Sequence, residues 1–279
     1  MIKAVALIGC GTIGKELALA VDSGRIENAY VVALFDKEEH AAKELSSRLH
    51  NNNPQIFSDF KDFISSASFR ETDIVVEAAS QDAVNNFCKI IVESGKSLVI
   101  MSVGALANQT LLSELLDNAS HNRSHIYVPT GAIAGIDAIR SVKHLIDSVT
   151  LSTTKNPKAL SGAPFFDESG LDLFKLNQKT LVYEGSAADA VKKFPSNVNV
   201  AAVLGLASIG LEKTRVNVIV DPNIDINQHE IAVKGKFGEI TISVRNVPSI
   251  TNPKTSFLAV LSAIECLRSV CDDSIRIGT

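Results

Sequence analysis

Short apolar runs alternate with segments whose apolar residues recur at helical spacing through the first half of the chain. Runs at 2–8, 30–35, 55–57, 73–77, 97–101 and 124–128 read as strands, and stretches at 15–20, 37–49, from about 59, at 80–93 and at 110–119 read as helices. Most of the strands are apolar at successive positions, as strands are when both faces of their sheet are covered. The alternation predicts an α/β fold built on a doubly wound parallel sheet with right-handed crossovers.

Near residue 130 the pattern changes, at the small-residue stretch Pro129-Thr130-Gly131-Ala132-Ile133-Ala134-Gly135. A strand at 148–154 is followed by 157–177, which has little periodicity and is a candidate active-site cover. Residues 197–211 are apolar almost all round and predict a buried helix, with either Asn197 or Asn199 as its cap and the other amide left for a ligand. Runs at 215–220, 229–233 and 239–245 read as an antiparallel set, with Gly235 and Gly238 in the last connection. Glu239, Thr241, Ser243 and Arg245 alternate there with Ile240, Ile242 and Val244, so one sheet face meets water.

A closing helix is predicted from 253, with Asn252 as cap, Pro253 at its first position and Phe257, Val260, Leu261, Ile264, Leu267 and Cys271 as one apolar stripe. The organisation that follows is a first domain over 1–130 and a second, α+β domain with a mainly antiparallel sheet over 131–252, the helix at 253–279 packing back on the first.

A length of 279 residues accommodates both parts. The net charge of −4, with both signs interspersed, forms no basic stripe and speaks against nucleic acid as a partner. No unbroken apolar stretch reaches the roughly 18 residues that span a bilayer, so no membrane partner is expected. Met1-Ile2-Lys3 leads straight into a strand without the parts of a signal peptide, and a cytoplasmic protein is expected. Cys10, Cys88, Cys266 and Cys271 have no metal-ligand spacing; no metal is expected, and the four read as small core residues.

The first strand ends in Gly9-Cys10-Gly11-Thr12-Ile13-Gly14, a G-x-G-x-x-G turn opening a helix. In a dinucleotide-binding (Rossmann) unit Gly9 permits the turn, Gly11 lets a pyrophosphate approach, Gly14 allows close packing, and the N–H groups of the helix start face the phosphates. Asp36 ends the second strand 22 residues past Gly14, where a carboxylate holds the adenosine ribose. Its other reading is a helix cap before Lys37-Glu38-Glu39. A carboxylate there repels a 2′-phosphate, which favours NAD while leaving NADP possible.

Strand alternation places His229 with Ile231 and Val233, aimed inward where the sheet meets another surface. An imidazole there reads first as a satisfied, semi-buried side chain, and it also suits a general base near its ordinary pKa. Lys155, Lys158, Arg245 and Lys254 are possible cations for an anionic substrate, although each reads first as solvated surface.

In order and spacing, several stretches resemble the L-aspartate dehydrogenases: the glycine turn, Glu77-Ala78-Ala79-Ser80, Met101-Ser102-Val103-Gly104-Ala105-Leu106, residues 129–135, Phe194-Pro195-Ser196-Asn197-Val198-Asn199-Val200-Ala201-Ala202, Asn227-Gln228-His229-Glu230-Ile231 and Asn252-Pro253-Lys254-Thr255-Ser256. The resemblance implies oxidation of L-aspartate by NAD or NADP to iminosuccinate, which hydrolyses to oxaloacetate and ammonia or feeds NAD biosynthesis. It implies a homodimer, with the second domain serving substrate binding and dimerisation.

It also matches His229 to the catalytic histidine, sets Ala132 and Asn199 near the nicotinamide, and adds Thr12, Ile13, Ala79 and Ser80 to the cofactor contacts of Gly9, Gly11, Gly14 and Asp36. At 154–158 the chain departs from the more basic, proline-rich stretch expected of relatives. The alternatives are a related two-domain dehydrogenase, of homoserine or of dihydrodipicolinate-reductase kind, and a non-catalytic NADH sensor.

Overall fold

In the computed structural model of the chain, which describes residues 2–195, 199–249 and 255–272, the apolar runs of the first half become a six-stranded sheet. Its strands are β1 (Lys3–Ile8), β2 (Ala29–Phe35), β3 (Gln55–Phe57), β4 (Ile74–Glu77), β5 (Ser97–Ile100) and β6 (Ile126–Tyr127). They stand in the order β3-β2-β1-β4-β5-β6 with every neighbouring pair parallel. Strand order reverses between β1 and β4, and open sheets of this kind bind ligands beyond the carboxyl ends of the strands at that point.

Val5, Leu7 and Val76 of this sheet share a core with Leu17 and Val21 of the first helix and with Val260, Ile264 and Leu267 of the helix Phe257–Cys271. That last helix has a narrower stripe than its sequence predicts, since Phe257 is exposed and Leu261 half-buried. Asn252 and Pro253, proposed as its start, lie outside the described residues. The helix predicted at 80–93 contains a widened turn at Val84–Cys88. The chain separates into two compact units, one running to Pro129 and taking in the chain from Val260, the other Thr130–Ala259.

The second unit holds a five-stranded sheet of β7 (Ile146–Lys155), β8 (Thr180–Ser186), β9 (Arg215–Val220), β10 (Asn227–Gly235) and β11 (Gly238–Asn246), in the order β11-β10-β7-β9-β8. The runs now labelled β9, β10 and β11 do not form one antiparallel set. β7 lies between β10 and β9 and pairs with β9 in parallel, while its pairing with β10 is antiparallel. Alternation reveals which face a strand buries but not which strand is its neighbour.

β8 and the helix Ala187–Lys193 escape the pattern, because β8 mixes polar and apolar residues and a seven-residue helix has few periodic positions. Ser186 starts that helix by accepting a hydrogen bond from Asp189 N. The aperiodic stretch 157–177 consists of two short proline-started helices, Pro157–Leu160 and Pro164–Ser169, and a turn at Leu173–Lys175. Pro157, Leu160, Ala163 and Leu173 are buried and Phe165 packs on Tyr183 and Phe194, so the segment is anchored rather than a free cover.

Candidate functional site

In the first unit the glycine turn joins β1 to the helix Thr12–Asp22, and its three glycines do different work. Gly9 has φ +96°, and a Cβ added there would lie 2.7 Å from the Ala78 carbonyl oxygen and 2.8 Å from Ala79 Cβ. A Cβ at Gly14 would overlap the Gly9 carbonyl, so these two glycines let the turn close on itself and on the loop after β4. Gly11 faces open space, and nothing lies within 4 Å of an added Cβ.

The helix that follows has Gly11 at its cap position, no side-chain cap and no acidic residue in its first turn. The N–H groups around Thr12 and Ile13 therefore carry the partial positive charge of a helix start uncompensated by the protein. That donor set and the open space over Gly11 fit a dinucleotide pyrophosphate.

Asp36 braces this turn: Oδ2 accepts from Cys10 N at 2.7 Å and Oδ1 from Glu38 N at 2.9 Å. The next helix begins at Glu39 with Glu38 at its cap position, so Asp36 is not the helix cap. Burial, and then the Asp36 charge, push the Cys10 thiol up to about 12, which keeps it protonated.

Ala79 and Ser80 are exposed in the loop after β4, and Ser80 Oγ caps the next helix by accepting from Ala83 N at 3.2 Å. What holds this loop is Glu77, fully buried at the end of β4. Its Oε1 accepts from Ala79 N (2.8 Å), Ser80 N (2.9 Å) and Ser102 Oγ (2.9 Å), and its Oε2 from Ser102 N (3.0 Å). Burial raises the carboxyl's pKa and these donors oppose the rise. The available signal was an acid closing the otherwise apolar run Ile74-Val75-Val76.

In the second unit a single buried face runs across β10, β7 and β9: Ile231 and Val233, Val149 and Leu151, Val216 and Val218. At one end it turns polar, with Thr153 and Lys155 on β7, Asn227 and His229 on β10 and Asn246 on β11 all buried. His229 pairs across the strands with Thr153 on one side and Val244 on the other, and Asn227 with Asn246. Asn246 Nδ2 donates to the Ala132 carbonyl at 2.8 Å, which ties the 129–135 loop to this end of the sheet. A Cβ at Gly131 would meet Val200 Cγ1 at 3.8 Å, so the loop also adjoins the start of the helix Asn199–Ala207. Ala132, the half-buried Asn199 and His229 are thereby gathered in one region, whereas Asn197 lies outside the described residues.

His229 is 2 % exposed and its Nδ1 has no hydrogen-bond partner; Thr153 Oγ1 is likewise buried and unpartnered. Lys155 departs from its expectation as surface charge: it is 4 % exposed, because the β7 alternation turns it inward with Thr153 and Leu151. Lys158 and Arg245 are exposed, and Lys254 lies outside the described residues. Burial, and then the Lys155 charge, depress the His229 pKa to about 3, so the imidazole does not keep its ordinary value and is neutral at neutral pH.

Burial also lowers Lys155 from the usual 10.5 to about 8. Between those values the unfolded chain binds a proton that the folded protein has released, so this site's share of stability rises with pH across the window. Melting temperatures of the parent protein and a Lys155→Met variant, compared from about pH 8 to 10.5, should show the parent gaining on the variant as pH rises.

The family model "Aspartate dehydrogenase, C-terminal" matches residues 137–270, and "Homoserine dehydrogenase, NAD binding domain" matches 9–129. The chain is 45% identical over 277 residues to the L-aspartate dehydrogenase of Nitrosopumilus maritimus, covering 99% of this chain and 100% of that one. It is 43% identical over 276 residues to that of Methanosarcina acetivorans, covering 99% of each. Among solved structures, aspartate dehydrogenase from Thermotoga maritima aligns over 100% of both chains with TM-score 0.73 and 27% identity. Lactobacillus casei myo-inositol dehydrogenase with NAD(H) and myo-inositol, at 16% identity, TM-score 0.57 and coverage of 100% and 89%, shares the fold alone.

Proposed function

The chain belongs to the L-aspartate dehydrogenase family, and from that premise and the geometry above we infer that it oxidises L-aspartate to iminosuccinate with a nicotinamide dinucleotide. Full-length similarity to curated L-aspartate dehydrogenases is the observation that carries the reading. The proposed cofactor contacts are Gly9, Gly11, Thr12, Ile13, Gly14, Asp36, Ala79 and Ser80 in the first unit and Ala132 and Asn199 in the second; the turn and its uncapped helix support the first group. When bound, the dinucleotide supplies the hydride acceptor.

His229 is the proposed base. The C=N bond forms from the nitrogen lone pair, which exists only once the substrate ammonium has given up a proton, and a neutral imidazole whose Nδ1 has no partner can take it. Once it has passed that proton to solvent, the same group can deprotonate the water that attacks the imine, giving oxaloacetate and ammonia; iminosuccinate passed on intact would instead serve NAD biosynthesis. Purified protein mixed with NAD and L-aspartate is expected to generate NADH absorbance. Tight NADH binding with no turnover would replace this reading with that of a sensor.

Asp36 supports NAD over NADP, since its carboxylate stands at the end of β2 where a 2′-phosphate would meet like charge. Asp36→Ser is expected to shift the ratio of kcat/KM for the two cofactors toward NADP by about one order of magnitude. An unchanged ratio would remove Asp36 from the ribose site. Assembly as a homodimer is proposed from the family alone, and sedimentation equilibrium tests it. Four cysteines without disulfides support a cytoplasmic setting.

A further inference from the structure

We propose that Lys155 is the counter-ion for a carboxylate of the dicarboxylate substrate, held on the buried sheet face beside His229. The inference rests on the reading of His229 as the base. Three observations carry it. Lys155 is 4 % exposed, and among the described residues no carboxylate pairs with its ammonium group; burial alone, with no neighbouring charge, lowers its pKa. A buried cation without a partner is costly, and such groups are normally paired or bound to a ligand. On the same face two buried polar atoms are unpartnered, Thr153 Oγ1 two residues back along β7 and His229 Nδ1 directly across from Thr153 on β10.

An ammonium group, a hydroxyl and an imidazole at one end of one face form a set that a carboxylate completes: Lys155 donates with charge, Thr153 donates from its hydroxyl, and the amino end of the same molecule lies toward the base. Pairing would have a second effect. The Lys155 charge is one of the two causes that hold His229 far below its ordinary basicity, so a carboxylate that neutralises it makes the imidazole a better proton acceptor when substrate is present.

The test uses the full-length protein with NADH and succinate, a dicarboxylate with no amine to react, together with steady-state oxidation of aspartate. Lys155→Met keeps the length of the side chain and removes its charge. The variant is expected to bind succinate about 30-fold more weakly or worse, to lose kcat/KM for aspartate mainly through KM, and to bind NADH as the parent does.

Its melting temperature near neutral pH should equal or exceed that of the parent, because an unpaired buried charge has been removed. A variant with unchanged succinate affinity, or one less stable than the parent, would overturn the assignment and mark Lys155 as structural. The parent reading fails separately: no aspartate oxidation by the unmodified protein would defeat it, and succinate binding to parent and variant would still decide the role of Lys155.

Discussion

Replacing His229 by alanine is expected to lower turnover with L-aspartate by about 10²- to 10⁴-fold, the range for loss of a general acid-base group. The loss should fall on kcat, with NADH affinity nearly unchanged, because the glycine turn and Asp36 belong to the other unit. A packing role alone would give a different result. His229 Nδ1 satisfies no partner, so truncation orphans no group bonded to that atom, and the fold should survive with a modest loss from the cavity. His229→Asn, which restores polarity without a basic nitrogen, should be as inactive as the alanine variant. Stopped-flow and steady-state measurements on folded protein check this, and turnover retained within a few-fold would remove His229 from the chemistry.

The second large effect is on stability. Glu77→Ala would remove an acceptor shared by three backbone N–H groups and one hydroxyl, all at the loops that follow β4 and β5. The four bonds are part-buried, and a donor left without a partner there costs about 1 kcal/mol, the low end for buried groups, so the variant should lose about 3 kcal/mol and melt on the order of 10 °C lower. Glu77→Gln, which keeps one acceptor oxygen, should lie between the two. Because Ala79 also packs against Gly9, NADH affinity should fall along with stability. An alanine variant that melts with the parent would show that the four bonds are not needed to hold these loops.

Sequence pattern located the first sheet well, because strands buried on both faces are apolar at every position and their parallel pairing follows from the helices between them. It also put His229 on the apolar side of β10, since a period of two fixes the face. The same rule applied to β7 would have turned Lys155 inward with Thr153 and Leu151; its charge, which nearly always means exposure, outweighed the alternation.

Strand neighbours in the second sheet were not legible, because β9 pairs in parallel with β7 across about sixty intervening residues and no short-range signal marks such a contact. The role of Glu77 is not legible in the sequence, since nothing local shows that one carboxylate gathers donors from Ala79, Ser80 and Ser102.

The central claim is that the polar end of the second sheet's buried face receives the substrate. A crystal structure of the protein with NADH and succinate tests it most directly. The predicted result is a carboxylate within hydrogen-bonding distance of Lys155 Nζ, with the ligand reaching His229. Succinate bound elsewhere, with Lys155 and His229 still buried and untouched, would contradict the account.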